Sequence, residues 1–346
     1  MNLLLSEEQN QIVDTLRHFL AEQASVARFR PPAPQLGNRD LDLLPALAEF
    51  GVLGIALPED AGGTGLGDAE EAIVFREFGR HLLSPALFGH ILAAHVAHAC
   101  GEQEILASLL AGTARVGLMT PRDPLGDPRS AGTGEAVGGA CHLIEGRDAD
   151  WIFSCDEHGA ALFARNDFAD VEPVDAMDHA LTLDRARRLD VRPAAALSAA
   201  DASIHARALV LAAAYGAGIA EATLQMAVDY AKVREQFGKP IGSFQAVKHI
   251  CADMAMRAEA ANSQVAFASL SLAARDAANF HSTASKLVAT DAALRNAQQN
   301  IQVHGAIGFT AEADAHVFLK RAHVVEQLWG DTRTLRRRML EASFPG

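Results

Sequence analysis

Two segments in the C-terminal half carry residue types suited to a phosphate-bearing ligand. The first is Val233-Arg234-Glu235-Gln236-Phe237-Gly238-Lys239-Pro240-Ile241-Gly242-Ser243-Phe244-Gln245. It closes one long helical pattern and opens the next. An arginine beside a Gly/Pro turn can offer two parallel N–H donors to a diphosphate. A helix corner with a solvated arginine satisfies the same pattern. The second segment is Gln302-Val303-His304-Gly305-Ala306-Ile307-Gly308-Phe309-Thr310. Its two glycines let backbone approach a ligand or make a tight turn, and ordinary helix C-termini carry such glycines too.

Other candidates have plainer readings. His90, His95 and His98 share an apolar helical segment that lacks a nearby carboxylate, so packed or solvated histidines are expected rather than the conceivable metal site. Arg333, Arg336, Arg337 and Arg338 form a basic run. It could meet a phosphate-bearing ligand or an acidic partner, but charge runs are usually solvated helix faces. Cys100, Cys141, Cys155 and Cys251 lie far apart with no C-x-x-C pair, which argues for buried reduced thiols.

The elements that must position these residues follow from periodicity. Ser6 and Gln9 form a capping box ahead of Ile12, Val13, Leu16, Phe19 and Leu20 on one helical face. Asp40 is expected to cap a second helix with the stripe Leu43, Leu44, Leu47 and Phe50. A glycine-rich loop, Leu57 to Gly65, precedes a further helix from about Ala69. From about Gly112 to Pro193 short apolar runs (Val116 to Met119, Trp151 to Phe153, Ala160 to Phe163) alternate with Gly, Pro and Asp, as in a small β-rich unit. Leu197 to Ser203 reads as a linker. Ala206 to Val233 lacks proline and is apolar around most of its circumference, as inside a bundle. Ser243 is placed to cap the next helix, whose face carries Phe244, Val247, Ile250 and Met254. Segments near His281 to His304 and Glu312 to Leu328 complete a four-helix bundle. The expected organisation is mainly α with a small β domain: a helical N-terminal domain (1–111), a short β-rich middle domain (112–197) and a C-terminal four-helix bundle (198–346).

Composition sets outer limits. The 346 residues are 49% hydrophobic and 21% charged, enough apolar material for a large core. A formal net charge of −13 repels nucleic acid and anionic lipid as main partners. No basic n-region precedes Leu3-Leu4-Leu5, and no apolar run looks like a membrane span. A cytoplasmic location is the expectation.

Taken together, the two segments resemble the acyl-CoA dehydrogenase family. The family pattern is Arg-x-x-Phe-Gly, then Phe-Gln, then Gln-x-x-Gly-x-x-Gly-Phe. It is matched here by Arg234, Phe237, Gly238, Phe244, Gln245, Gln302, Gly305, Gly308 and Phe309. Leu57-Pro58-Glu59-Asp60-Ala61-Gly62-Gly63 and Arg76-Glu77-Phe78-Gly79-Arg80 extend the likeness over nearly the whole chain. The resemblance implies FAD as cofactor and an acyl-CoA substrate, with electron-transfer flavoprotein or a similar acceptor for the electrons. It also implies that Arg234, Gln245, Gln302 and the His304–Gly305 backbone grip the FAD diphosphate and adenine half across a subunit interface. Phe237 is expected to pack nearby.

The pattern breaks where the family's chemistry requires a base. A carboxylate must remove the proton beside the thioester carbonyl while hydride passes to the flavin. The family usually carries it as glutamate in Tyr-Glu-Gly-Thr, and the matching residues are Trp329-Gly330-Asp331-Thr332. Glycine occupies the glutamate's place. Asp331 lies one Cα step of about 3.8 Å further on, and a misplacement of about 1 Å already lowers rates steeply. Its alternative role is to cap the helix beginning near Thr332. Relatives with the glutamate early in the first bundle helix place it near Arg207 and Ala208, where no acid stands. Of the Thr-Glu-Pro strand that holds the flavin ring only Met119-Thr120-Pro121-Arg122 is an echo. The second flavin-holding strand is missing from Gly146-Arg147-Asp148-Ala149-Asp150-Trp151.

These departures resemble the short, degenerate subunits that some bacteria pair with a complete one, notably in steroid side-chain breakdown. They imply α,β-dehydrogenation by a hetero-oligomer whose base lies on a second acyl-CoA dehydrogenase subunit, leaving the catalytic residue of this chain unassigned. A self-sufficient enzyme with Asp331 as base, a catalytically silent scaffold, and a different acyl-CoA reaction such as water addition are the alternatives.

Overall fold

The computed structural model describes residues 3–31, 37–121, 140–198, 204–274 and 278–341. The chain divides into two compact units, each assembled from separated stretches: Met1–Gln35, Ala72–Leu82 and Leu209–Gly346 in one, Leu36–Glu71 and Leu83–Ala208 in the other. Helices α3 (Asp68–Arg80) and α6 (Ile204–Val233) each contribute residues to both.

The first unit is helical. Helix α1 (Glu7–Gln23) opens with the expected capping box, Ser6 and Gln9 each satisfying the other's backbone N–H. The bundle consists of α6, α7 (Gln245–Ala274), α8 (Ala278–His304) and α9 (Ala315–Gln327), followed by α10 (Thr332–Glu341). Small side chains fill its centre: Ala213, Ala217, Ala220, Ala289, Ala293 and Ala297 are buried, which lets helix axes approach closely. One buried amide links three helices. Asn296 Nδ2 donates to the carbonyls of Ala220 on α6 (3.1 Å) and Met254 on α7 (2.9 Å), while its Oδ1 accepts from Arg257 Nε. The Arg76–Arg80 motif supplies ion pairs: the buried Glu77 carboxylate takes both donors of Arg17, and Arg80 pairs with Glu221 at 2.7 Å.

The second unit holds α2 (Leu44–Glu49), α4 (Ala86–Cys100), α5 (Gln103–Leu110) and a seven-stranded sheet. The strands are β1 (Val116–Pro121), β2 (Ala140–Ile144), β3 (Trp151–Asp156), β4 (Gly159–Ala164), β5 (Phe168–Pro173), β6 (Leu183–Arg188) and β7 (Ala195–Ser198), ordered β5-β6-β2-β1-β3-β4-β7. Among the described strands only the β1–β3 pair is parallel, with Val116 opposite Trp151. Met119, Cys141, Leu143, Ile152, Phe163 and Phe168 build the core on this sheet.

The helical periods and apolar strand runs hold, and four local expectations do not. Asp40 is not the cap of α2, whose N-cap position is Leu43. It lies inside a 3₁₀ stretch, Gly37–Leu43, with its carboxylate accepting from Ser84 N–H at 2.9 Å. The α-helix begins only at Leu44, beside Pro45 in its first turn where a missing N–H is tolerated, so Phe50 falls past its end and stays 47% exposed. Leu197 and Ser198 are strand, paired with β4 opposite Ala160 and Gly159, rather than linker; Ala199 to Ser203, like Arg122, lie outside the described residues. Ser243 ends a 3₁₀ turn, and the next helix starts at Gln245. Finally, α6 is long and apolar enough by composition to cross a membrane, yet 72% of its most apolar window is buried within the protein, as a core helix would be.

Candidate functional site

The residues singled out from the two segments come together at one end of the bundle. Ala227 and Ala231 of α6, Met254 of α7 and Val303 of α8 form a common buried cluster, with Tyr230, Ile241, Val247 and Ile250 packed on it. That cluster brings the C-terminus of α6, the N-terminus of α7 and the C-terminus of α8 to the same place. Arg234, Gln245 and Gln302 are all exposed there. Among the described residues no hydrogen bond or ion pair commits their side chains, so a guanidinium and two amides stand ready as donors.

Between α6 and α7 the chain makes a two-residue hairpin, β8 (Glu235–Gln236) against β9 (Lys239–Pro240). Its turn residues Phe237 and Gly238 have φ of +55° and +76°, the geometry of the tight turns that suit hairpin twist. Glycine accepts this conformation freely; a bulky aromatic rarely does. Phe237 nonetheless occupies it while 91% exposed, its ring meeting that of Phe244 edge to face at 6.1 Å between ring centres. Val233, Ile307 and Phe309 are 75%, 48% and 66% exposed.

Tyr230, packed on the same cluster, stacks with His304 at 4.2 Å and 21°. His304 Nδ1 faces the Asn300 carbonyl at 2.8 Å, which can only accept, so Nδ1 carries a proton. Gly305 follows at φ +68° with open space where a side chain would stand. Backbone is therefore reachable at Gly305, whereas Gly308 is buried, and a side chain there would meet the Ile301 carbonyl at 2.9 Å. Guanidinium, amide donors, an aromatic stack and open backbone form a set suited to a diphosphate joined to a flat base.

The loop between α9 and α10 is built differently. Trp329 and Gly330 have φ of +58° and +116°. A side chain grown from Gly330 would meet Leu335 Cδ2 at 3.2 Å and Arg338 Nη1 at 3.6 Å. Gly330, which the sequence resemblance sets against the family's glutamate, thus has a backbone that disfavours any side chain. Asp331 is the N-cap of α10: its Oδ1 accepts from Thr334 N–H at 2.8 Å, and its carbonyl accepts from Leu335 N–H at 3.0 Å. Partial burial pushes the Asp331 carboxyl up, but the Thr334 hydrogen bonds, helped by Lys286 and Arg333, outweigh it and hold the group below its usual range. A carboxylate stabilised as the anion is a weaker base.

Near the other family location, Ala208 is buried, and Arg207 is committed elsewhere. Its guanidinium pairs with Glu71 and Asp68, while His95 Nε2 lies 2.7 Å from the second Glu71 oxygen. Burial alone would raise the Glu71 carboxyl; Arg207 and His95 override it and pull it down to about 2. Burial and the Arg207 charge keep His95 below its ordinary range, so a neutral imidazole donates to an ionised Glu71. The expectation that no carboxylate stands near these histidines is thus corrected by Glu71, which comes from another helix. It forms an ion-pair network; among the described residues no three His, Cys, Asp or Glu side chains group as metal ligands. His90 is buried against the Leu109 carbonyl at 2.9 Å.

In the sheet, Met119 to Pro121 lie on β1 opposite Leu143 to Cys141 of β2. The chain passes from β2 to β3 through Glu145 to Asp150 alone, leaving no room for a further strand. Arg333, Arg336 and Arg337 are exposed on α10, while Leu335 is buried.

Comparison with known proteins decides the family. A model described as acyl-CoA dehydrogenase, N-terminal domain, matches residues 6–116, and one described as acyl-CoA dehydrogenase, C-terminal domain, matches residues 199–344. The chain belongs to the acyl-CoA dehydrogenase family. Membership carries the oxidoreductase class acting on CH–CH bonds, with FAD as cofactor. The acyl-CoA dehydrogenase IpdE2 of Mycobacterium tuberculosis is 32% identical over 336 residues, covering 96% of each chain. The acyl-CoA dehydrogenase FadE34 of the same organism is 37% identical over 318 residues; the match covers 87% of this chain and spans 42% of FadE34. The fold superposes on a chain of the ChsE4–ChsE5 complex from Mycobacterium tuberculosis with a TM-score of 0.80 at 22% identity, covering 99% of this chain and 98% of that one.

Proposed function

We propose that this chain is the subunit without a base in a hetero-oligomeric acyl-CoA dehydrogenase. In this reading it binds the diphosphate and adenosine half of FAD and closes a site whose carboxylate base lies on a second subunit. The observation that carries it is the α9–α10 loop. Gly330, at φ +116° and facing Leu335 and Arg338, holds no carboxylate, and Asp331 is spent on capping α10. Arg207, in the first turn of α6, is locked to Glu71 and Asp68.

FAD, when bound, supplies the hydride-accepting redox chemistry. The residues this chain offers it are Arg234 for the diphosphate, Gln245 and Gln302 as amide donors, and the open His304–Gly305 backbone beside the Tyr230–His304 stack. Phe237 and its exposed apolar neighbours are the contact surface for the subunit that shares the cofactor. The substrate class is an acyl-CoA thioester. The acyl group we assign is a steroid side chain, the class handled by the heteromeric relatives that short, base-less chains resemble. Electrons leave to electron-transfer flavoprotein or a similar acceptor.

Expression of the chain alone and together with a complete acyl-CoA dehydrogenase subunit tests this reading. A colourless, inactive lone chain that becomes yellow and active in a co-purifying complex is the expected result. A yellow, active lone chain would refute it.

A further inference from the structure

Lys286 lies on α8 with its side chain wholly buried. Its ammonium donates to the backbone carbonyls of Glu326 (3.1 Å), Leu328 and Gly330 (2.8 Å). An ammonium has three hydrogens, and all three are used. The acceptors are carbonyls left without partners where α9 ends and the next loop begins, and a cation at a helix C-terminus is electrostatically favoured. Bringing them to one point requires unusual backbone, and both Trp329 and Gly330 have positive φ. Directly after them Asp331 caps α10.

We propose that Lys286 is the positioning residue of the Trp329–Asp331 loop: by gathering the three carbonyls onto one ammonium it sets the backbone this chain presents where the family carries its base. The clamp belongs to the chain itself. Its test needs neither flavin, substrate nor partner, so its failure and that of the proposed function are separable.

Its electrostatic surroundings make the clamp sensitive to protonation. Burial pushes the Lys286 ammonium down to about 7, against the attraction of Glu326 and Asp331. Glu326 is held by Thr332 Oγ1 at 3.0 Å and faces His323 at 3.6 Å. On α10, Arg333 acts on Asp331 and Arg338 stands beside Gly330. The neighbouring stretches of α6 (Ala208–Ala220) and α7 (Ala260–Ala274) carry no charged residue. Removing one proton leaves two N–H donors for three carbonyls and turns a lone pair on the third. The pH dependence of the loop differs in sign from that of the fold. Between about 7 and 10.5 the folded chain holds fewer protons on Lys286 than the unfolded one, so raising pH through that window does not destabilise the fold through this group.

Trp151 and Trp329 are the two tryptophans of the chain. In a Trp151→Phe background the emission of Trp329 reports the loop. We expect it to titrate with a midpoint near 7 while helical circular dichroism and Tm do not fall. The titration should be lost in Lys286→Met, with Trp329 more accessible to acrylamide, and retained in His323→Gln. A flat Trp329 signal, or the same titration persisting in Lys286→Met, overturns the proposal. Should Lys286→Met not fold, the other two chains still decide: a flat signal, or a titration that vanishes in His323→Gln, is equally fatal.

Discussion

The Asp331 carboxylate accepts the backbone N–H of Thr334 at 2.8 Å, closing the first turn of α10. This one bond gives the loop's acid a structural role. Replacing Asp331 by Ala should lower stability by about 0.5–2 kcal/mol, the usual range for losing a cap, whereas Asn should preserve most of it. Thermal unfolding of the two variants measures the difference. Because the Asp331 pKa is depressed in the folded chain, its contribution is present above the unfolded carboxylate range and declines as pH falls through the folded value.

Gly330→Glu is the obvious attempt to restore a base. At φ +116° with Leu335 and Arg338 in the path, the new side chain strains the loop by about 1–3 kcal/mol. The lone variant should melt below the parent and stay without dehydrogenase activity. An active lone variant would show that the loop readily adopts a catalytic backbone.

Glu71 is the centre of the Arg207–His95–Asp68 network, so Glu71→Gln leaves Arg207 buried beside fewer negative partners. A loss of about 3–5 kcal/mol is expected, as for breaking a buried ion pair. The Glu71 carboxyl is pulled from 4.5 to about 2 on folding. Its stabilisation is complete above 4.5 and disappears as pH drops toward 2. Acid titration of the parent against Glu71→Gln should therefore converge at low pH.

Arg234→Ala removes an exposed, uncommitted guanidinium and should leave the stability of the chain within about 0.5 kcal/mol of the parent. Flavin retention of the assembled enzyme should fall at least tenfold, about 1.4 kcal/mol. Gel filtration with flavin quantification reads both assembly and cofactor. Unchanged retention would remove Arg234 from the cofactor site.

Legibility in the sequence followed how local each signal was. The bundle helices were readable because their apolar periodicity is carried by each segment alone, and the Asp331 cap because its acceptor and donor are three residues apart. The Asp40 cap misled because Pro45 delays the helix and Ser84, distant in sequence, takes the carboxylate. Nothing local announces the Glu71–His95–Arg207 network, whose members come from three helices. Lys286 is quieter still: its partners are backbone carbonyls, and only its isolation among small residues of α8 could have drawn notice. The conformation of Phe237 was also hidden, since aromatic residues rarely take positive φ.

The location of the base is decided most directly by flavin reduction in the assembled complex under anaerobic conditions with excess acyl-CoA. Two complexes are compared with the parent: one with Asp331→Asn in this chain, one with the partner's base carboxylate replaced by its amide. The account predicts that flavin bleaching proceeds at nearly the parent rate in the first and is lost in the second. Bleaching abolished by Asp331→Asn, with the partner's substitution without effect, would contradict it.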